Sequence, residues 1–231
     1  LRQPSTFEFT AEFGDPEPPT PVAFGDTVNG AIDFVADFAE FSFTLSERTN
    51  FYLDSLVDNA MTWQLSGPAG TTTSRRFDSS DSSNNADPVL SLVAGDYTMR
   101  VDSNGGEGPF AFRLLDLSDA TSITPGTEFS GELTVPNETD FYKFSASAGE
   151  EFFVDEVAAS DSTNTVYRIY DQHGRKVDES GRLVDLTSLT IPADGEYILL
   201  VEGWRRNVDQ DTYTINVVPI AQTTQGLTLG N

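Results

Sequence analysis

Apolar side chains recur at every second position through much of this chain. Phe41, Phe43 and Leu45 alternate with Glu40, Ser42 and Thr44, and Tyr213, Ile215 and Val217 alternate with Thr212, Thr214 and Asn216. A period of two belongs to a strand with one buried face, because successive Cβ atoms of extended backbone point to opposite sides. Turn clusters separate these runs: Gly67 to Gly70, Asn104 to Gly108 and Asp171 to Gly174. In such clusters Gly supplies positive φ, and Asp or Asn bonds its own backbone. Long runs of helical period are missing, so the predicted elements are short strands.

The strands repeat. At an offset of 101, Gly30, Ile32, Phe41 and Phe43 fall on Gly131, Leu133, Tyr142 and Phe144, and Phe51, Leu53 and Asp54 fall on Phe152, Val154 and Asp155. After a short slip, Trp63, Leu65 and Gly70 fall on Tyr167, Ile169 and Gly174. Gly95, Tyr97 and Val101 then meet Gly195, Tyr197 and Val201, and Phe110, Phe112 and Leu114 meet Tyr213, Ile215 and Val217. Roughly six to eight strands in about 100 residues cannot bury their inner faces as one flat sheet, so each copy needs two sheets packed face to face. The expected fold is all-β, with two tandem, jelly-roll-like β-sandwiches over 22–118 and 119–219. The linker Ser118 to Pro125 is short enough to restrict relative motion. Trp63, paired with Tyr167 by the repeat, is expected in the core, and the polar stretch Asp78 to Asp87 as a long exposed loop.

Two segments fall outside the copies, a leading segment over 1–21 and a polar tail over 220–231. In the first, Phe7, Phe9, Ala11 and Phe13 alternate with Glu8, Thr10 and Glu12, and the breaker-rich Asp15 to Pro21 follows. Three phenylalanines left in water would forfeit ~1.5–3 kcal/mol each. This strand is therefore expected to dock, either onto the first sandwich as an added edge strand or onto a neighbouring subunit by donor-strand complementation. Phe7, Phe9 and Phe13 are its candidate subunit contacts.

Charge narrows the partners. The chain carries 37 Asp and Glu against 13 Lys and Arg, a net charge of −24. Self-repulsion on that scale opposes binding to nucleic acid or anionic lipid. It suits a solvated acidic surface, cation binding, or a salty medium that screens the repulsion. Cysteine is absent, which excludes a disulfide framework, zinc–thiolate sites and cysteine nucleophiles. No stretch approaches the roughly 18 apolar residues of a membrane span, so no membrane insertion is expected. No basic-then-apolar leader follows Leu1, and the expectation is a processed chain or an excised fragment.

Several runs resemble a known family. Gly95-Asp96-Tyr97, the run FRLLDLSDA from Phe112 to Ala120, and the spacing from Gly131 to Asn137-Glu138-Thr139-Asp140-Phe141-Tyr142-Lys143-Phe144 are similar to the bacterial pre-peptidase C-terminal (PPC-like) domain. So is Gly195-Glu196-Tyr197-Ile198-Leu199-Leu200-Val201-Glu202-Gly203. The resemblance covers both copies and is stronger in the second. The first departs from it where Ala39 stands in place of Asp140. It implies jelly-roll-like accessory modules of secreted peptidases and very large surface proteins, some of which bind calcium, collagen or polysaccharide.

Catalytic groups are scarce. The single histidine, His173, lies in a polar turn, and the chain shows no nucleophile elbow, phosphate-binding glycine loop or zinc-protease helix. A carboxylate pair is the one conceivable chemistry, and nothing in the sequence singles one out. Calcium, which takes six to eight oxygen ligands, is the best-motivated cofactor. Its candidate ligands are Asp54 with Asp155, Asp102 with Glu202, and the loop acids Asp78, Asp81 and Asp87. Trp204, followed by Arg205 and Arg206, is the candidate contact for a sugar ring or a protein partner. These readings converge on a secreted or cell-surface module with no enzymatic activity. It would serve a structural or adhesive role in an extracellular bacterial assembly, contacting copies of itself, other surface proteins or polysaccharide. The alternative is a carbohydrate- or protein-binding accessory domain of a secreted enzyme.

Overall fold

The computed structural model describes residues 17–35, 37–81, 84–135, 137–160, 165–180, 185–204 and 210–221. It is all-β, and the strands fall into two sandwiches. The N-terminal one holds β1 (Thr20–Pro21), β2 (Thr27–Ile32), β3 (Phe38–Leu45), β4 (Thr49–Ser55), β5 (Thr62–Gly67), β6 (Gly70–Arg76), β7 (Leu90–Leu92), β8 (Gly95–Asp102) and β9 (Gly108–Asp116). The C-terminal one holds β10 (Thr121–Ser122), β11 (Phe129–Leu133), β12 (Thr139–Ala146), β13 (Glu151–Ala159), β14 (Val166–Asp171), β15 (Lys176–Glu179), β16 (Leu186–Thr190), β17 (Gly195–Glu202) and β18 (Asp211–Ile220).

Each sandwich pairs a five-stranded with a four-stranded sheet, and the strand orders match. Sheet I runs β1-β3-β8-β5-β6 and sheet II runs β2-β9-β4-β7; sheet III runs β10-β12-β17-β14-β15 and sheet IV runs β11-β18-β13-β16. Antiparallel pairing dominates, apart from the parallel two-residue contacts of β1 with β3 and β10 with β12. Among the described residues no helix is long and apolar enough to cross a membrane.

Alternation builds the cores. Tyr97, Met99 and Val101 of β8 and Phe110, Phe112 and Leu114 of β9 point inward between sheets I and II. There Phe43 stacks on Phe51 and Tyr97 at centroid distances of 5.8 and 5.3 Å. Trp63 is fully buried, and its indole N–H donates to Ser80 Oγ at 2.6 Å, which satisfies its one polar atom. Phe144, Tyr167, Tyr197 and Ile215 fill the matching space between sheets III and IV. One side-chain bond even recurs, since Tyr97 Oη donates to Val93 O at 2.9 Å and Tyr197 Oη to Ala193 O at 2.7 Å.

A third apolar layer lies between the sandwiches. Tyr52, Leu115, Leu117 and Ala120 meet Tyr170, Ile198 and Leu200 there, so the outer face of sheet II packs on the outer face of sheet III. The four sheets thus stack in chain order. The segment between β9 and β10 is a single 3₁₀ turn at Leu117–Asp119, capped by Asp116, whose carboxylate accepts from the Ser118 N–H. Leu117 and Ala120 are themselves buried, which ties the connection into the contact.

Candidate functional site: the seam between the sandwiches

The layer between sheets II and III holds the densest buried polar chemistry among the described residues. Its geometry begins with strand register. On β4 and β9, Tyr52 lies opposite Leu115 and Asp54 opposite Arg113, all on the face turned away from the first core. On the other side, β12, β17 and β14 align Phe141, Leu200 and Arg168 in one row, and Lys143, Ile198 and Tyr170 in the next. Every residue of β14 is buried, as is β17 from Tyr197 to Glu202. A strand without polar alternation is one covered on both faces.

Two arginines anchor the contact. The Arg168 side chain is 2% exposed and pairs with Glu202, itself fully buried, at 2.9 Å. Tyr52 Oη reaches across from sheet II to donate to the same carboxylate at 2.6 Å. Arg113 gives Nε and Nη2 to Asp54 Oδ2 at 2.8 and 2.6 Å, then crosses the seam to Glu138 at 2.9 Å and to Thr139 O at 3.0 Å. The Asn137 amide donates back to Ser55 O. Buried charges hold only when paired and hydrogen-bonded, and removing one partner costs ~3–5 kcal/mol.

Burial also moves the carboxyls. It pushes Asp54 up to about 7, against the pull of Arg113. Asp81 is raised well above its ordinary value, by burial first and then by Asp54 beside it. Tyr52 is raised by burial and by Glu202. Asp54 and Asp81 therefore hold a proton more readily than free carboxyls do.

The stretch from Asp78 to Asp87 corrects the expectation of an exposed loop. Ser80 and Asp81 are buried, and Asp81 Oδ2 accepts from the Ser55 N–H at 2.5 Å. Further along, Asn85 O accepts from Arg168 at 2.8 Å, Ala86 O from Lys176 at 2.7 Å, and Asp87 Oδ1 from Tyr170 Oη at 3.2 Å. This loop of the first sandwich is thus bound by side chains of the second.

No protein-family model matches the chain, and no curated protein does. Among solved structures it is similar to the periplasmic g-type lysozyme inhibitor PliG of Aeromonas hydrophila, with 15% identity and a TM-score of 0.35 over 42% of this chain and 95% of that one. It is also similar to the pre-peptidase C-terminal domain of collagenase from Bacillus anthracis, with 16% identity and a TM-score of 0.34 over 43% of this chain and 94% of that one. The CUB1-EGF-CUB2 domain of human MASP-1/3 matches at 7% identity and a TM-score of 0.28, over 83% of this chain and 99% of that one.

The candidate residues of the sequence divide between places. Asp54, Asp81, Asp87 and Glu202 come to the seam, each with a different partner. Asp102 pairs with Arg100 on the outer face of sheet I at 2.8 Å, Asp78 pairs with Arg76, and Asp155 lies opposite Asn216 on sheet IV. Among the described residues no three acidic or histidine side chains are grouped to hold a metal ion. Trp204 is half-buried, next to Gly203, whose N–H donates to Glu138 O at 2.9 Å. Arg205, Arg206, Phe7, Phe9 and Phe13 lie outside the described residues.

The surface grooves over Ser130 to Glu132, Ala148 to Phe152, Asp171 to His173 and Phe38 to Phe41 contain none of Asp54, Asp81 or Glu202. His173 is a turn residue whose N–H donates to Asp171 at 2.9 Å. Sequence reasoning missed Tyr52, Arg113, Arg168 and Asn137. A signal for them exists, because Val166-Tyr167-Arg168-Ile169-Tyr170 and Tyr197-Ile198-Leu199-Leu200-Val201 break the alternation that half-buried strands keep.

Proposed function

We propose that this chain is a non-catalytic structural or adhesive module of an extracellular bacterial assembly, built from two PPC-like sandwiches joined as one rigid body. The seam carries this reading. Its buried arginines and acids are spent on holding the two sandwiches together. A strongly acidic, cysteine-free surface suits an exported protein that must remain soluble outside the cell. The leading strand with Phe7, Phe9 and Phe13 joins subunits by adding to a neighbour's sheet edge.

The test is functional. The purified chain, offered peptide, ester and glycan substrates, should show no turnover, while the fluorescently labelled chain should decorate the surface of bacteria that express it. Deletion of residues 1–20 should reduce subunit joining seen by electron microscopy. Turnover that vanishes on changing a buried carboxylate to its amide would contradict the reading.

A further inference from the structure

The face that forms the seam recurs on the outside of the molecule. On sheet IV, Phe153 lies opposite Val218 and Asp155 opposite Asn216, the register in which sheet II sets Tyr52 opposite Leu115 and Asp54 opposite Arg113. Beyond them Ile220 is 37% exposed, and Val157, at the β13 register shift, is 45% exposed. An apolar row beside an acid is what sheet II buries against a five-stranded sheet. On sheet IV that row faces outward.

The opposite end of the stack carries the other half. Sheet I aligns Glu40, Arg100 and Gln64 where sheet III aligns Phe141, Leu200 and Arg168. Arg100 lies over the ring of Phe38, 3.7 Å from its centroid, and Phe38 is 46% exposed. Phe38 pairs with Asp102 as Thr139 pairs with Glu202, so it holds the place of Thr139. Within the seam, Thr139 is where Asp54 and its arginine make contact, since Arg113 binds Thr139 O.

We propose that the outer face of sheet IV is a docking surface for a second copy of this chain, which covers it with the outer face of its own sheet I. Two differences from the seam complement each other. Asp155 lacks the arginine that Asp54 has in its own sheet, because Asn216 stands in place of Arg113. Sheet I carries an arginine, Arg100, where sheet III has Leu200. It lies between Asp102 at 2.8 Å and Glu40 at 3.7 Å of its own sheet, and Asp155 of the next copy would share it with them. Transposing the seam onto these faces brings Arg100 and Phe38 of one copy to Asp155 and Phe153 of the next. Such a contact joins unlike faces and does not close, so it builds a filament. This inference goes beyond the reading above and needs neither the leading strand nor its arm. The net charge of −24 opposes stacking, and salt relieves that opposition.

The full chain, Arg100→Glu, Asp155→Lys and the double variant are compared by sedimentation velocity and light scattering from low to molar sodium chloride. The intact chain should associate more strongly as salt rises. Each single reversal should weaken association about tenfold, and the double variant should recover it. Ile220→Glu, at the exposed rim, should weaken association without lowering the melting temperature. An intact chain that stays monomeric throughout overturns the proposal, as does association indifferent to both reversals and to Ile220→Glu. If that indifferent association is lost on deleting residues 1–20, the contact belongs to the leading strand.

Discussion

Tyr52 beside Leu115 and Phe153 beside Val218 hold the same place in their two sandwiches, but only the first pair is sealed beneath another sheet. The strands that carry them are alike in pattern, so the strand does not decide burial. What decides it is the sheet placed opposite. Sheet III offers Tyr170, Ile198 and Leu200, whereas the matching positions of sheet I are Ser66, Thr98 and Arg100. The seam thus forms where the outer face of the five-stranded sheet is apolar, and not where it is polar.

The open edges of the sandwiches differ as well. In the first, Gly30 rests on Phe110, with Phe41 packed edge-on at 6.0 Å and Ala39 nearby. In the second, Gly131 rests on Tyr213, whose hydroxyl meets Tyr142 Oη at 2.5 Å and donates to Asp140 at 2.6 Å. Neither glycine leaves room for a Cβ. Two hydroxyls and an acid are present together or absent together, as expected where a buried polar atom needs its partner.

The largest test of the seam is Arg168→Met. It leaves the buried Glu202 without its guanidinium and should cost ~3–5 kcal/mol, read as a fall in denaturant midpoint. Arg100→Met, on the exposed outer face of sheet I, should change stability by less than about 1 kcal/mol. Next, Tyr52→Ala should cost ~3–5 kcal/mol, against about 1 kcal/mol for the half-exposed Phe153→Ala. Equal losses at the two sites would erase the distinction between sealed and open faces.

The edges give a smaller effect. Asp140→Ala alone leaves one hydroxyl of the Tyr142–Tyr213 pair short of an acceptor and should cost ~1–3 kcal/mol. Combining it with Tyr142→Phe and Tyr213→Phe recreates the set of the first sandwich and should cost less than the single change. A separate test concerns pH. Asp54, pushed up to about 7 by burial, binds a proton in the folded state that the unfolded chain releases near pH 4. Its contribution is present below about pH 4 and is lost as pH rises through about 7, so the melting temperature should fall across that window. Asp54→Asn should flatten the slope, and an unchanged slope would remove Asp54 as its source.

Much of this was legible from alternation. Phe41, Phe43, Trp63 and Tyr97 announce the first core, and the β-sandwich follows from strand number and turn spacing. The seam was not legible, because its arginines and acids read locally as surface residues. Asp81 and Asn85 lie in a serine- and aspartate-rich stretch whose composition suits water, and their burial depends on Ser55 and Arg168, far away in sequence. The broken alternation of β14 and β17 was a visible hint that both of their faces are covered.

Scanning calorimetry of the intact chain tests the central claim, that the seam makes one body of two sandwiches, most directly. The account predicts a single unfolding transition whose calorimetric and van't Hoff enthalpies agree, splitting into two transitions in Arg168→Met. Two resolved transitions in the unmodified chain, or a calorimetric enthalpy near twice the van't Hoff value, would contradict it.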